Sequence, residues 1–345
     1  MSTSILFFRV SDPADWRNIY FSSGSADRFV AELGRLGTVT VVPFETPETE
    51  VLRLVREHDI VVSSPAPPLP AAWVQDPGRL RYVCCLHGGV RGIVSRAHLD
   101  AGLLVTNWGD SPGHGLAFLS VTLLLAVLRE LPTQMLHVRQ GGWRLDASYA
   151  EAPRIWGGTA EGLRVGVYGM GFAGRCFVPM AQGLGLTLSG YDPYVPPTAW
   201  PEGVRRAASL ADLFAGIQAL VVCAALTDET RNSVTGERLA RLPDGGIVIN
   251  TARGAIIEQD ALFAELLTGR LRAGLDVLEP DCLPPEHPVR RLPNCILTCH
   301  VGPQNRFNAP AFGRNERYAL ENIRRFVAAE PLQWLVDVVR FDRMT

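Results

Sequence analysis

The stretch Val165-Gly166-Val167-Tyr168-Gly169-Met170-Gly171-Phe172-Ala173-Gly174-Arg175 decides the fold. Apolar, strand-favouring residues run into three glycines spaced G-x-G-x-x-G, and helix-compatible residues follow. In that order each glycine has a separate task. The first makes a tight turn, the second lets a pyrophosphate approach the backbone, and the third lets helix and strand pack closely. The helix start then offers unpaired N–H groups and a positive dipole end to an anion. Phe172, Ala173 and Arg175 lie on that first turn and are read, with Gly169, Gly171 and Gly174, as cofactor contacts. The glycine spacing alone is a weak signal; the strand before it and the helix after it carry the reading.

Working outward, the next strand ends in Gly190-Tyr191-Asp192-Pro193, with Asp192 lying 23 residues beyond Gly169. An acidic residue at that distance accepts hydrogen bonds from the ribose hydroxyls of NAD and repels a 2′-phosphate, so NAD is expected over NADP. Strand-like runs at 186–191, 219–223, 246–250, 273–276 and 295–298 continue the series. Before the glycine loop, strands are expected at 4–10, 39–43, 60–63, 80–85 and 103–107, with helices at 26–36 and 49–58. Apolar strands alternating with amphipathic helices specify parallel sheets covered on both faces. A helix over 115–129 is apolar almost all round and is expected to be buried between domains. Residues 131–161 read as irregular, the kind of long connection that is functional or lies at an interface. A helix over 311–327 is expected to lead back to the first domain. The expected class is α/β with two doubly wound parallel-sheet domains. A flavodoxin-like substrate domain would comprise 1–112 and 306–345, and a Rossmann NAD domain 113–305.

Composition narrows the chemistry. The chain has 345 residues, 47% of them hydrophobic, which suits two buried cores. Its formal charge of -2 gives no global basic field, so neither nucleic acid nor a membrane surface is an expected partner. All 33 basic residues are Arg. The absence of Lys excludes a Walker A lysine, a pyridoxal Schiff base and a Ser-x-x-Lys nucleophile. Seven cysteines in a chain this long make no disulfide framework. Cys295, Cys299 and His300 lack a second facing pair of ligands, and no metal is expected. The N-terminus lacks the basic-then-apolar build of a signal peptide, and the longest apolar run is too short to span a bilayer, so the expected location is cytoplasmic.

Three later motifs narrow the class. Ile249-Asn250-Thr251-Ala252-Arg253-Gly254-Ala255, Ala273-Gly274-Leu275-Asp276-Val277 and Leu297-Thr298-Cys299-His300 occur in this order. With the glycine loop, they make the sequence resemble the D-isomer-specific 2-hydroxyacid dehydrogenases, strongly over 113–302 and in layout over 4–107. The resemblance implies an NAD-dependent oxidoreductase acting on a small 2-keto or D-2-hydroxy acid, and a homodimer formed through 129–161. It implies that Arg253 binds the substrate carboxylate, a task suited to a planar, permanently charged fork. His300 would be the general acid/base, since an imidazole takes up and releases protons near neutral pH. Thr251, Ala252, Arg253, Asp276 and His300 would also border the cofactor, as would Ala225, Leu226 and Thr230 on the loop beside the nicotinamide ribose.

Two departures stand out. Family members carry a glutamate in a Glu-Pro-Leu-Pro segment that pairs with the histidine. Gapless alignment puts Asp281 there, followed by Cys282, while Glu279 lies two residues earlier. Residues two apart share a side in an extended segment, so both carboxylates are candidates, and spacing favours Asp281. Cys299 stands where the family has proline. In the first domain, the resemblance implies a backbone cradle for the substrate carboxylate in Leu86-His87-Gly88-Gly89-Val90-Arg91-Gly92, with Arg91 and His87 as candidate substrate contacts and solvated or loop positions as the alternative. His114 is a weaker candidate, and His287 reads as structural. Trp108 and Trp143 read as buried aromatics, substrate or subunit contacts being the alternative. Rival activities are a formate or phosphite dehydrogenase, and a non-catalytic NAD-sensing protein of the corepressor type.

Overall fold

The computed structural model describes residues 3–10, 25–63, 66–143, 158–302 and 313–342. The chain divides into two compact units, Met1–Ser111 with Asn305–Thr345, and Pro112–Gln304.

The first unit holds five parallel strands, β1 (Ser4–Arg9), β2 (Thr38–Pro43), β3 (Ile60–Ser63), β4 (Tyr82–Cys85) and β5 (Leu104–Thr106), in the order β2-β1-β3-β4-β5. Strand β1 shows why the sheet is covered twice. Ile5 and Phe7 pack with Phe29, Leu33 and Ile323 on one face. Leu6 and Phe8 pack with Val51, Leu54 and Trp73 on the other. Alternation by two sends successive side chains to opposite layers. Each fully buried Leu or Phe contributes about 1.5–3 kcal/mol of transfer free energy. The helices Ser25–Gly34 and Arg314–Val327 supply the first layer and Glu48–Glu57 contributes to the second.

The second unit holds seven parallel strands: β6 (Arg164–Tyr168), β7 (Thr187–Tyr191), β8 (Arg205–Arg206), β9 (Ala219–Val222), β10 (Ile247–Asn250), β11 (Arg272–Leu275) and β12 (Cys295–Leu297). Their order is β12-β11-β10-β9-β6-β7-β8. The chain runs outward from β6 to β8, then returns to the other side of β6 as β9. Open parallel sheets bind ligands at such a reversal, beyond the carboxyl ends of the strands.

Several expectations change on contact with the structure. The apolar helix, Gly113–Leu128, is not buried all round. It packs Ala117, Leu123, Leu124 and Val127 inward within its own unit, yet Phe118 is 68% exposed. Part of the 131–161 stretch is regular: Leu131–Arg139 is a helix with Pro132 in its first turn, where a missing N–H costs nothing. Residues 144–157 of that stretch lie outside the described residues, as do 311 and 312 at the start of the last expected long helix. Strand β8 escapes a reading based on apolar runs because its two residues are both exposed arginines. No single helix among the described residues is long and apolar enough to cross a membrane. Gly113–Leu128 and Leu131–Arg139 pass that test only as a pair, bent by 60°.

Candidate active site

The glycine loop follows β6, and its geometry matches the tasks its residues imply. Gly169 has φ +95°, and a Cβ there would lie 2.5 Å from the Ala224 nitrogen. A Cβ on Gly174 would lie 2.1 Å from the Gly169 carbonyl oxygen. A Cβ on Gly171 would meet nothing within 4 Å. The loop is therefore packed shut toward the protein and open at the N-terminus of the helix Phe172–Gly183, which carries no side-chain cap. That opening fits a dinucleotide pyrophosphate. Phe172 is half-buried against Gly113, with the exposed His114 ring edge-on to it at 6.1 Å. Ala173 is half-buried and Arg175 exposed on the same turn. Behind the loop, burial pushes the Cys223 thiol up to about 12, keeping it protonated and inert.

Asp192 stands at the end of β7. Its Oδ2 accepts from the Met170 N–H at 2.9 Å and its Oδ1 from the Tyr194 N–H at 2.9 Å, tying β7 to the glycine loop. After β9, Thr230 Oγ1 donates to the Ala225 carbonyl at 2.7 Å and accepts from the Thr227 N–H at 2.7 Å. This closes the loop that carries Leu226, itself packed partly against the core.

Arg253 follows β10 on a loop shaped by Asn250. The buried Asn250 amide donates to the Arg253 carbonyl at 2.9 Å and accepts from the Ala252 N–H at 3.0 Å. Arg253 Nη1 donates to the Ala252 carbonyl at 2.7 Å. The next residue must be small, because a Cβ on Gly254 would lie 2.1 Å from the Leu278 carbonyl carbon. That close crossing brings the Arg253 loop against the segment leading to Asp281. Thr251 is buried and its hydroxyl meets Ser120 Oγ at 2.7 Å. Ser120, on the helix Gly113–Leu128, is a supporting residue the sequence reading missed; 131 positions separate the pair.

His300 pairs with Asp281: Nδ1 and Oδ2 stand 2.5 Å apart, with both side chains about half exposed. Glu279 is held elsewhere by its backbone. Its N–H donates to Gln259 Oε1 at 2.9 Å and its carbonyl accepts from Gln259 Nε2 at 2.6 Å. His300 sits at φ +54°, on a turn organised by Asp276. The buried Asp276 carboxylate accepts from Thr298 Oγ1 at 2.5 Å, the Val301 N–H at 3.0 Å and the Gly302 N–H at 2.9 Å. Its carbonyl accepts from the His300 N–H at 3.0 Å. Asp276 thus builds the turn that carries His300. Cys299 is exposed beside it. His287 caps the short helix Pro288–Arg291 by accepting from the Val289 N–H, a structural task.

In the first unit, the loop after β4 is held by distant residues. The Asn107 side chain donates to the Gly88 carbonyl at 2.9 Å, and Asn315 donates to the Leu86 carbonyl at 3.1 Å. Gly88 lies against the half-buried Trp108 indole, where a Cβ would come within 2.5 Å of Nε1. His87 meets Ser63 Oγ at 3.1 Å, and burial pushes its imidazole down to about 4 against a smaller opposing effect of the Gly89 backbone. Gly89, next in the loop, is half-buried. The Arg91 guanidinium is engaged by the C-terminal segment of the same unit. It donates to the Phe341 and Asp342 carbonyls at 3.1 and 2.7 Å and lies 5.5 Å over the Phe341 ring. The carbonyls at the end of the helix Val338–Asp342 hold the cation. Trp143 is 81% exposed, so its reading as a buried aromatic is corrected.

Comparison with known proteins identifies the family. A family model described as D-isomer specific 2-hydroxyacid dehydrogenase, NAD binding domain, matches residues 121–302. The chain is 29% identical over 272 residues to D-3-phosphoglycerate dehydrogenase of Methanocaldococcus jannaschii, covering 78% of this chain and 50% of that protein. It is 28% identical over 258 residues to hydroxypyruvate reductase of Thermotoga maritima, covering 73% and 80%. The chain thus spans half the length of the first relative and four-fifths of the second. Among solved structures, a D-isomer specific 2-hydroxyacid dehydrogenase of Xanthobacter autotrophicus Py2, in complex with NADPH and MES, is 26% identical with TM-score 0.73 over 99% of this chain and 100% of that one.

Proposed function

The chain belongs to the D-isomer specific 2-hydroxyacid dehydrogenase family, and from that premise we propose that it interconverts a small 2-keto acid and its D-2-hydroxy acid with NAD(H). The contact between His300 Nδ1 and Asp281 Oδ2 carries the reading. With Nδ1–H directed at a carboxylate, the proton-exchanging atom toward substrate is Nε2. In the reductive direction an imidazolium donates its Nε2 proton to the substrate oxygen, and Asp281 keeps the ring oriented throughout. In the oxidative direction neutral Nε2 accepts the hydroxyl proton. Arg253 binds the substrate carboxylate. Within the first unit, the Gly88–Gly89 backbone is the proposed anion contact. The dinucleotide, when bound, supplies or accepts the hydride at substrate C2. Gly169, Gly171 and Gly174 hold its pyrophosphate, and Asp192 its ribose. The Asp192 carboxylate favours NADH over NADPH.

The test is NADH oxidation at 340 nm against glyoxylate, hydroxypyruvate, pyruvate and phenylpyruvate. We expect one acid to be reduced, with His300→Ala lowering kcat by about 10²–10⁴ and leaving NADH affinity within about threefold. NADH binding with no turnover of any acid would instead favour the cofactor-sensing alternative.

A second copy of this chain is the proposed partner. Phe118, Met135, Leu136, Val138 and Trp143 are exposed along the bent helix pair and the residues just beyond it. Apolar side chains concentrated in this way mark association surfaces. Light scattering at micromolar concentration should give twice the chain mass, and a monomer would contradict the proposal.

A further inference from the structure

Two adjacent arginines form β8, and they differ in what they meet. Arg205 is committed to an ion pair with Asp212 at 3.1 Å and to Ser189 at 3.0 Å. Arg206 has no carboxylate partner among the described residues. Its Nη2 donates to the Val195 carbonyl at 2.8 Å and, more weakly, to the Asp192 carbonyl at 3.4 Å. Nε and Nη1 have no hydrogen-bond partner among the described residues. The guanidinium is nonetheless held in place. Its central carbon stands 4.7 Å over the Trp200 ring, and that ring is fixed by its own hydrogen bond from Nε1 to the Val204 carbonyl at 3.0 Å. The backbone is fixed too, since Arg206 pairs with Gly190 across the sheet edge and the Ala207 N–H donates to the Gly190 carbonyl at 2.8 Å.

This guanidinium lines a pocket of about 350 Å³ with Tyr191, Asp192, Pro193, Ala207 and Ala208. The pocket therefore carries both charges unpaired. The Asp192 carboxylate is turned into the glycine loop by the Met170 and Tyr194 N–H groups. The cation occupies another part of the wall with donors to spare. A carboxylate alone would exclude a phosphorylated ribose by repulsion. A stacked guanidinium with free donors offers that phosphate a charge-assisted contact, with little rotamer entropy left to lose.

We propose that Arg206 anchors a ribose 2′-phosphate, so that this chain accepts NADPH as well as NADH. The inference rests on the dinucleotide reading above and deepens it: Asp192 sets a preference for NADH, and Arg206 keeps that preference narrow.

Isothermal titration of the full chain with NADH and with NADPH, taken separately, tests it. In the unaltered chain the two dissociation constants should lie within about tenfold of each other. Arg206→Gln should weaken NADPH by about tenfold or more, the loss of one charged hydrogen bond, and NADH by less than about threefold. Arg206→Lys, which keeps the charge and loses the fork, should fall between, and guards against a Gln variant that misfolds. NADPH binding should also weaken more steeply with salt than NADH binding. Equal weakening of both cofactors in Arg206→Gln, or exclusion of NADPH by about a thousandfold in the unaltered chain, would overturn the proposal. Binding of neither cofactor is a separate failure: it would overturn the dinucleotide reading and this proposal with it.

Discussion

The loops after β6 and after β4 both use glycine to let something approach the backbone, but they are held in different ways. The β6 loop is closed by its own letters. Gly174 packs on the Gly169 carbonyl five residues earlier, Asp192 accepts from Met170 22 positions away, and Gly169 backs onto Ala224 just after β9, all within one nucleotide-binding unit. The β4 loop is held from afar. Asn315 reaches the Leu86 carbonyl across 229 positions, and Arg91 is drawn to carbonyls 250 and 251 positions away. The first loop is a local device that works wherever a strand and helix flank it. The second has its shape only once the C-terminal segment has docked.

Three measurements would break or sharpen that contrast. The largest effect belongs to Gly174→Ala. Its new methyl would meet backbone that has no room to retreat, so we expect about 3 kcal/mol of destabilisation and a loss of NADH affinity exceeding tenfold. Gly88→Ala should cost less, about 1 kcal/mol, because the group it meets is the Trp108 side chain, which can shift. It should raise the KM for the keto acid while leaving NADH affinity unchanged. Urea titration of both variants, with NADH titration alongside, checks the order, and a reversed order would refute the contrast.

The third effect is comparable to that of Gly88→Ala and shows itself only as a pH dependence from the β4 loop. Folding holds His87 down to about 4 from an ordinary 6.5, so the folded chain keeps this ring neutral while the unfolded chain protonates it first. The stabilisation from a neutral His87 is complete above pH 6.5 and is lost as pH falls toward 4. Because the ring keeps part of its surface in water, we expect on the order of 1–2 kcal/mol. Denaturation midpoints at pH 7.5 and 4.5 should separate more in the unaltered chain than in His87→Gln. Equal separation would remove His87 from the account.

How far each region was legible follows from the same difference. Apart from β8, the strands of the second unit begin and end within a residue or so of where apolar runs and turn glycines put them, because a strand covered on both faces is apolar throughout. Aligning the segment between Asp276 and His287 on the resembled family favoured Asp281 and left Glu279 open; the contact with His300 distinguishes them. The hydrogen bonds of Arg91 were not legible, because nothing beside it in the sequence points to the Phe341 and Asp342 carbonyls. Ser120 was invisible for a similar reason: a hydroxyl in an apolar helix carries no sign of the Thr251 it will meet. The helix Leu131–Arg139 hid behind a weakly amphipathic sequence, and β8 behind two arginines.

The buried carboxylate of Asp276 has a consequence for sequence drift. It receives one hydroxyl and two backbone N–H groups from positions 298, 301 and 302, so the path of the turn is set from beneath. Position 299 adds nothing to that set, and its side chain faces solvent. A ring that would stiffen the backbone there duplicates a constraint already imposed. The family motif that this sequence resembles has proline at this place, and this chain carries Cys299 with the histidine still at its carboxylate partner. Redundancy of this kind lets one letter of a motif wander while the geometry it belongs to persists, and a search for the motif by its letters overlooks such a chain.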